Sequence, residues 1–360
     1  MKYSLSECVD IISGGTPKKS ESKYWLSGTI PWVTVKDFKD KYITSTEQYI
    51  TKSGLKNSAV NLTKDKDVLI SARGTVGKLS LVNAGYTFNQ SIYGLRAHTN
   101  ILNPEYLYYW LTCNIQQIRQ NTHGSVFNTI TKETFNHIFI DLPSIEEQKT
   151  IIDKVNPFDN KIEINNQINN NLLNLANTLF KHYFPDINTG TDKIGDYIKN
   201  FDKLRKPLSK KQRSEIPGKY RYIGATSVND HIDKYNFDGI YLLLGEDGTV
   251  QDEYGFPILQ YTFGKFWPNN HAHVLQGKNV STEWLYLYFS QRNISGIVTG
   301  AVQKKVSQKN MNSLKFKLPD SQELKKFDKI IQPLFSKIRS TKLENYQLEE
   351  LKRVLLTKLF

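Results

Sequence analysis

Residues 146–183 read EEQKTIIDKVNPFDNKIEINNQINNNLLNLANTLFKHY, and this stretch decides the fold. Ile151, Val155, Phe158, Ile162, Asn165, Asn169, Leu172, Ala176, Leu179 and Tyr183 step along it by fours and threes. A mean step of 3.5 keeps one stripe of a helix against one partner, the pattern of a coiled-coil seam. Adding 176 to each position gives Phe327, Ile331, Leu334, Ile338, Thr341, Asn345, Leu348, Lys352, Leu355 and Leu359, a second seam. The apolar seam candidates are therefore Ile151, Val155, Ile162, Leu172, Leu179, Ile331, Ile338, Leu348 and Leu355. Asn165, Asn169, Thr341, Asn345 and Lys352 interrupt them. Such polar interruptions cost stability but can fix register and orientation. Helical throughout, 146–183 would measure about 57 Å at ~1.5 Å per residue. Pro157 and Pro333 should kink the two helices or mark their true starts. The expected arrangement is one copy antiparallel on the other.

The same offset of 176 extends outward from the helices. Leu142-Pro143 recurs as Leu318-Pro319, Pro157 as Pro333, Gly124 as Gly300, and residues 179–184 as 355–360. Upstream the offset drifts. Gly74-Thr75-Val76 matches Gly248-Thr249-Val250 at 174, and Glu105-Tyr106-Leu107-Tyr108 matches Glu283-Trp284-Leu285-Tyr286 at 178. Each half is thus a block of variable length followed by one of constant length. This divides the chain into 1–143, 144–186, 187–319 and 320–360. Two repeats of this size are not a solenoid; they suit a pseudo-twofold molecule whose target has two parts.

The variable blocks alternate β-rich runs with turns. The runs include residues 30–35, 67–71 and 78–82 in the first block, and 220–223, 239–244 and 272–275 in the second. Residues 105–120 form an amphipathic pattern whose buried face should hold Tyr106, Leu107, Trp110 and Leu111, with a counterpart from Glu283. The expected class is α/β in the α+β sense: two mixed, strand-rich domains separated by two long helices packed as an antiparallel coiled coil.

At 360 residues, 39% hydrophobic and 23% charged, the chain can bury about two cores and is neither disordered nor fibrous. Cys8 and Cys113 are too few for a disulfide or zinc-ribbon scaffold. No run of about 18 apolar residues offers a membrane span. Scarce cysteine and no signal-like leader lead us to expect a cytoplasmic protein. Lys+Arg exceeds Asp+Glu by 48 to 35, a net charge of +13, which points to an anionic partner, with nucleic acid the first choice.

Catalytic motifs are missing. Residues 73–79 lack the first glycine and the final hydroxyl of a phosphate-binding loop, so Gly74-Thr75-Val76 reads as a tight turn. His271-Ala272-His273 has no third metal ligand nearby in sequence. Asn103-Pro104 and Asn156-Pro157-Phe158 are fragments of an amino-methyltransferase motif without its second proline. The chain reads as a binder, with no catalytic residue, bound metal or cofactor of its own. The competing reading is a self-contained DNA methyltransferase or nuclease with a fused recognition region.

Candidate DNA contacts lie in the loops. Lys203, Arg205, Lys206, Lys210, Lys211 and Arg213 fall in eleven residues without an acid. Lys18, Lys19, Lys36, Lys304 and Lys305 add further cations able to neutralise phosphates. Base reading needs donors and acceptors of fixed geometry, for which Arg73, Asn89, Gln90, Ser91, Thr226, Ser227, Asn229, Asn270, His271 and His273 are placed.

In this order along a duplicated chain, several short words resemble the specificity subunit of type I restriction-modification systems. They are Ser13-Gly14-Gly15-Thr16-Pro17, Tyr24-Trp25, Ile30-Pro31-Trp32-Val33, Asn89-Gln90-Ser91-Ile92 and Leu142-Pro143-Ser144-Ile145-Glu146-Glu147-Gln148 in the first half. The second half has Arg205-Lys206-Pro207-Leu208-Ser209, Tyr222-Ile223-Gly224-Ala225 and Asn269-Asn270-His271-Ala272-His273. The resemblance implies two target recognition domains, each reading half of a bipartite site in double-stranded DNA. It implies helices that space the half-sites and dock two methyltransferase subunits, with restriction/translocase subunits able to join. S-adenosylmethionine, Mg²⁺ and ATP would then belong to those partners. Ser321-Gln322-Glu323-Leu324 departs from the Glu-Glu-Gln word, which puts equivalent partner contacts there in doubt.

Overall fold

The computed structural model describes residues 2–120, 129–300 and 303–360; Gly124 lies outside them. Contacts divide the chain into a first unit of residues 1–163 and 345–360, and a second of 164–344.

The first unit grows from Asp67–Ser71, whose Val68, Leu69 and Ile70 are all fully buried. A strand apolar on both faces belongs mid-sheet. It is the central member of five strands ordered Val9–Ser13, Ile92–Ala97, Asp67–Ser71, Leu79–Val82 and Tyr42–Ile43, antiparallel except for the last pair. A smaller sheet joins Gln48–Ile50, Ile30–Val33 and Thr87–Phe88. The run expected as strand over 30–35 stops at Val33, because Thr34 and Asp37 form a reciprocal cap that turns Val35–Asp37 into a short 3-10 helix. Helix Pro104–Gln120 buries Tyr106, Leu107, Trp110 and Leu111 as its pattern required, and Tyr109 as well.

The second unit is built on six strands ordered Ile198–Asn200, Ala272–Gly277, Phe237–Gly245, Leu259–Pro268, Pro217–Ile223 and Val228–Ile232. Its helix Thr282–Ser290 starts under an N-cap in which Ser281 Oγ accepts from the Trp284 amide at 3.1 Å. Trp284 and Leu285 are fully buried, as their counterparts in the first unit suggest.

Two helices, Ile145–Tyr183 and Ser321–Leu359, each have 39 residues, about 58 Å long at ~1.5 Å per residue. The first begins under a capping box between Ser144 and Glu147. In the second, Asp320 Oδ1 accepts from the Gln322 amide at 2.7 Å. Both prolines lie inside their helices, so neither marks a start. Within the second unit Asn165 Nδ2 donates to Glu344 Oε2 at 2.9 Å, and Thr341 Oγ1 donates to Asn169 Oδ1. As one number rises the other falls, so the helices pair antiparallel. In the first unit Lys352 pairs with Asp159 at 2.7 Å, while Ile152, Val155 and Leu356 share one core.

Of the polar residues on the expected stripe, Asn165, Asn169, Thr341 and Asn345 are buried and Lys352 is half-buried. Val155, Ile331 and Ile338 are buried too, while Ile151, Ile162, Leu172, Leu179, Leu348 and Leu355 are half-buried. The deepest side chains sit one residue beyond some expected positions: Phe180, Phe335 and Leu356 rather than Leu179, Leu334 and Leu355. A helix covered by a domain as well as by a partner helix buries a wider stripe than a two-helix seam requires.

Candidate nucleic-acid interface

In the first unit, backbone hydrogen bonds tie the candidate loops together. The Gly14 and Gly15 amides donate to the Ile92 and Phe88 carbonyls at 3.3 and 2.9 Å. A Cβ on Gly14 would lie 2.0 Å from the Asn89 carbonyl oxygen, which explains a glycine in that word. The Ala72 amide donates to the Ser91 carbonyl at 2.7 Å, bringing the turn that carries Arg73 to the turn that carries Gln90. The Asn89 amide reaches the Val33 carbonyl at 3.0 Å, three residues before Lys36. Lys18, Lys19, Lys36, Arg73 and Gln90 are exposed; Asn89 and Ser91 are half-buried, with Asn89 Oδ1 accepting from the Ser91 amide at 2.9 Å. Gln90 is held by the Thr16 hydroxyl.

Lys19 is fixed unusually well for an exposed lysine. Its Nζ lies 3.5 Å from the Trp25 ring centre and 4.6 Å from that of Trp32, and donates to Gln48 Oε1 at 2.7 Å. The two indoles meet edge to face. A cation over an aromatic face keeps its charge and loses mobility.

In the second unit the equivalent loops also meet. The Trp267 indole donates to the Lys206 carbonyl at 2.6 Å, and the Asn269 amide to the Ile223 carbonyl at 2.8 Å. The Gly224 amide closes onto the Ser227 carbonyl at 2.7 Å, forming the turn that carries Thr226 and Asn229. The Glu246 amide bonds the His271 carbonyl, and the Gly248 amide the Lys304 carbonyl, both at 2.9 Å. Gly74 and Gly248 have φ of +75° and +81° with open space beside them, so both turns need glycine for backbone conformation alone. Lys206, Lys210, Lys211, Thr226, Ser227, Asn229, Asn270, His271, Lys304 and Lys305 are exposed. Lys210–Ser214 is a short helix under a Ser209 cap, not the loop expected.

The 203–213 stretch divides in two. Lys203, Lys206, Lys210 and Lys211 point to solvent, but both arginines are spent inside the unit. Arg213 bonds Asp230 at 3.1 Å and the Leu208 carbonyl at 2.8 Å, and lies over the Tyr222 ring. Arg205 donates to Glu246 Oε2 and the Ala272 carbonyl at 2.7 Å, and to the Asn270 and Asp202 carbonyls at 3.1 Å. His273 is buried beside it: Nδ1 lies 2.6 Å from Asp202 Oδ2 and Nε2 2.9 Å from the Val306 carbonyl. With an acceptor at each ring nitrogen, the surroundings favour the doubly protonated imidazolium form. Burial pushes its pKa down, but Asp202, the Val306 carbonyl and Glu246 outweigh that and raise it. Burial likewise pushes the Asp202 carboxyl up, yet His273, the Val274 amide and Asn200 hold it below the usual range.

Asp202, Glu246 and His273 thus bring three ligand-type atoms within 4.8 Å of one another, the grouping that sequence spacing could not reveal. The Arg205 guanidinium already sits between the carboxylates, and both imidazole nitrogens are engaged. The donor set is that of an ionic knot, with the arginine and the histidine occupying the positions a metal ion would need.

The chain matches the type I restriction modification DNA specificity domain over residues 1–174 and again over 191–353. It belongs to the type I restriction-modification DNA specificity family. Relatives include the type I restriction enzyme MjaIX specificity subunit of Methanocaldococcus jannaschii, 23% identical over 99% of this chain and 91% of its own. The EcoprrI specificity subunit of Escherichia coli is 21% identical over 88% of this chain and 82% of its own. The crystal structure of a type I restriction-modification S subunit from M. genitalium shares the fold, with a TM-score of 0.53 at 16% identity, covering 100% of this chain and 96% of that one.

In this specificity chain, sequence reasoning overlooked the acids that neutralise its arginines and the acid behind His271. Asp247 bonds the exposed His271 ring, and Lys305 lies 3.5 Å from Glu246. It also overlooked Trp25, Trp32 and Gln48 as the mount of Lys19. The aromatic words were visible, but their meeting depends on chain reversals between residues 18 and 48. No helix among the described residues is long and apolar enough to cross a membrane.

Proposed function

We propose that this chain is the DNA-reading component of a type I restriction-modification complex and performs no catalysis itself. Residues 1–143 and 187–319 each read one half of a bipartite target in double-stranded DNA. Lys18, Lys19, Lys36, Lys206, Lys210, Lys211, Lys304 and Lys305 contact phosphates; Arg73, Gln90, Ser91, Thr226, Asn229, Asn270 and His271 face bases. Phosphate contacts position a reader and base-edge contacts choose the sequence. Arg205 and Arg213 support the reading loops from within. The observation that carries this reading is the convergence, twice over, of exposed cations and amides from separate loops.

The paired helices of 144–186 and 320–360 serve as a spacer of fixed length and as the docking surface for two methyltransferase subunits. Restriction/translocase subunits join that assembly. S-adenosylmethionine, Mg²⁺ and ATP belong to the partner subunits, and the complex works in the cytoplasm. Lys206, Lys210, Lys211 and Lys304 support the reading because they make no ion pair among the described residues. The test is co-purification with the partner methyltransferase followed by mapping of methylated adenines. One split motif is expected; a contiguous motif, or none, counts against the proposal. Deleting one heptad from the first helix should change the tolerated gap or abolish assembly.

A further inference from the structure

One buried contact occurs in both units. Glu105 is the second residue of helix Pro104–Gln120, and Glu283 the second of Thr282–Ser290. Acids favour a helix start, but solvent satisfies them there equally well. These two are 8% and 4% exposed. A buried carboxylate is costly unless paired, and an apolar substitute is often as stable. The same carboxylate is kept inside twice, at the head of the matched stretches Glu105-Tyr106-Leu107-Tyr108 and Glu283-Trp284-Leu285-Tyr286, and asks for a reason other than stability.

Each one reaches the long helix at the same place. Glu105 Oε2 accepts from Asn156 Nδ2 at 2.8 Å, and Glu283 Oε2 from Gln332 Nε2 at 3.0 Å. Asn156 and Gln332 stand 176 residues apart, each immediately before the proline inside its helix. A tyrosine joins each cluster: Tyr109 bonds Asn156 and Asp159, and Tyr261 donates to Glu283 Oε1 at 2.6 Å. The balancing cations come from different sources. In the first unit they are Lys66 at 2.6 Å and Lys41 at 3.7 Å, both from the head. In the second, Arg339 of the long helix lies 3.0 Å from Glu283. The carboxylate–amide link is common to both units, while its charge compensation was solved separately in each.

We propose that Glu105 and Glu283 are positioning residues for target recognition, each locking its head at one angle on its segment of the paired helices, so that the complex accepts one gap between half-sites. This rests on the reading under Proposed function. A directional link of hydrogen bonds fixes an angle, whereas an apolar patch of equal stability permits sliding.

The experiment uses the full chain assembled with its methyltransferase subunits. Methylation rates are measured on DNA carrying the target and on DNA with the gap changed by one base pair either way. In the wild type, no gap preference at all would sink the reading beneath the proposal. Given that preference, Glu105→Gln and Glu283→Gln should lower the ratio of native-gap to shifted-gap rates by about tenfold or more. The native-gap rate itself should fall less than the ratio does. An unchanged ratio overturns the proposal, as does an equal fall in all rates, which is what mere destabilisation gives. Gln332→Leu and Lys66→Met are milder changes; the Lys66 side chain is 45% exposed. If the glutamate variants do not fold, these two decide: a lowered ratio supports the lock, and an unchanged ratio in both refutes it.

Discussion

Replacing Arg205 by alanine separates two roles that a basic loop can play. The side chain is 13% exposed and holds Glu246, Asp202 and three backbone carbonyls. Without it Glu246 and Asp202, 16% and 12% exposed, keep among the described residues only His273 and the partly exposed Lys305 as cations. Removing one partner of a buried ion pair costs about 3–5 kcal/mol; solvent reaching this knot places the loss near the lower end, about 3 kcal/mol. At a urea slope of about 1–3 kcal/mol per molar, the unfolding midpoint of the second unit should drop by about 1 M or more. The logarithmic salt dependence of DNA binding should keep its slope, because no phosphate contact is lost. Lys206→Ala should do the opposite, leaving the midpoint unchanged and reducing the slope by about 0.9. An Arg205→Ala chain with wild-type stability and a slope lowered by about one would refute the internal role.

Three further outcomes are expected. His273 has a pKa raised above 6.5 in the folded state, so its contribution is complete below about pH 6.5 and is lost as pH rises through the folded value. Urea midpoints from pH 5 to 9 should therefore decline on the alkaline side in the wild type and lose that component in His273→Gln; identical profiles would disprove the buried imidazolium. Thr341→Val alone should be less stable than Thr341→Val combined with Asn169→Leu by about 1 kcal/mol, since Thr341 is the donor to the buried Asn169 Oδ1 and an orphaned polar group costs more than an absent pair; thermal unfolding of the four-member cycle measures it. Gly248→Ala places a side chain at φ +81° in open space, a strain of about 1–2 kcal/mol offset in part by about 0.4–1 kcal/mol of lost unfolded-state freedom. A net loss of about 1 kcal/mol in urea titration is expected, and a gain would show that the turn does not hold that conformation.

The long helices were legible because periodicity is local and the repeat states it twice. Val155, Ile331 and Ile338 took their places for that reason. Lys352 looked like a flaw in the seam because its partner, Asp159, lies 193 residues away in the chain. Phe180 and Phe335 displaced their neighbours as the deepest residues because burial by a head has no signature in the helix's own period. Among the candidate contacts, sequence could rank neither Arg205 below Lys206 nor His273 apart from His271. Glu246, which makes the difference for Arg205, lies 41 residues away, and Asp202, which makes it for His273, lies 71 residues away. The exposed lysines and the glycine turns needed no such long-range knowledge, since solvent and backbone conformation act on each residue alone.

Because residues 345–360 belong to the first unit, that unit is discontinuous in the chain. Leu356 is buried in the same core as Leu5, Val68 and Leu107. On a ribosome, the second unit, contiguous over 164–344, has all its residues available before the first does. The first unit must wait with an open apolar groove until residue 356 emerges, since contacts across such separations close late. The order of completion is thus the reverse of the order of synthesis, and chaperone demand during translation should fall on the amino-terminal half.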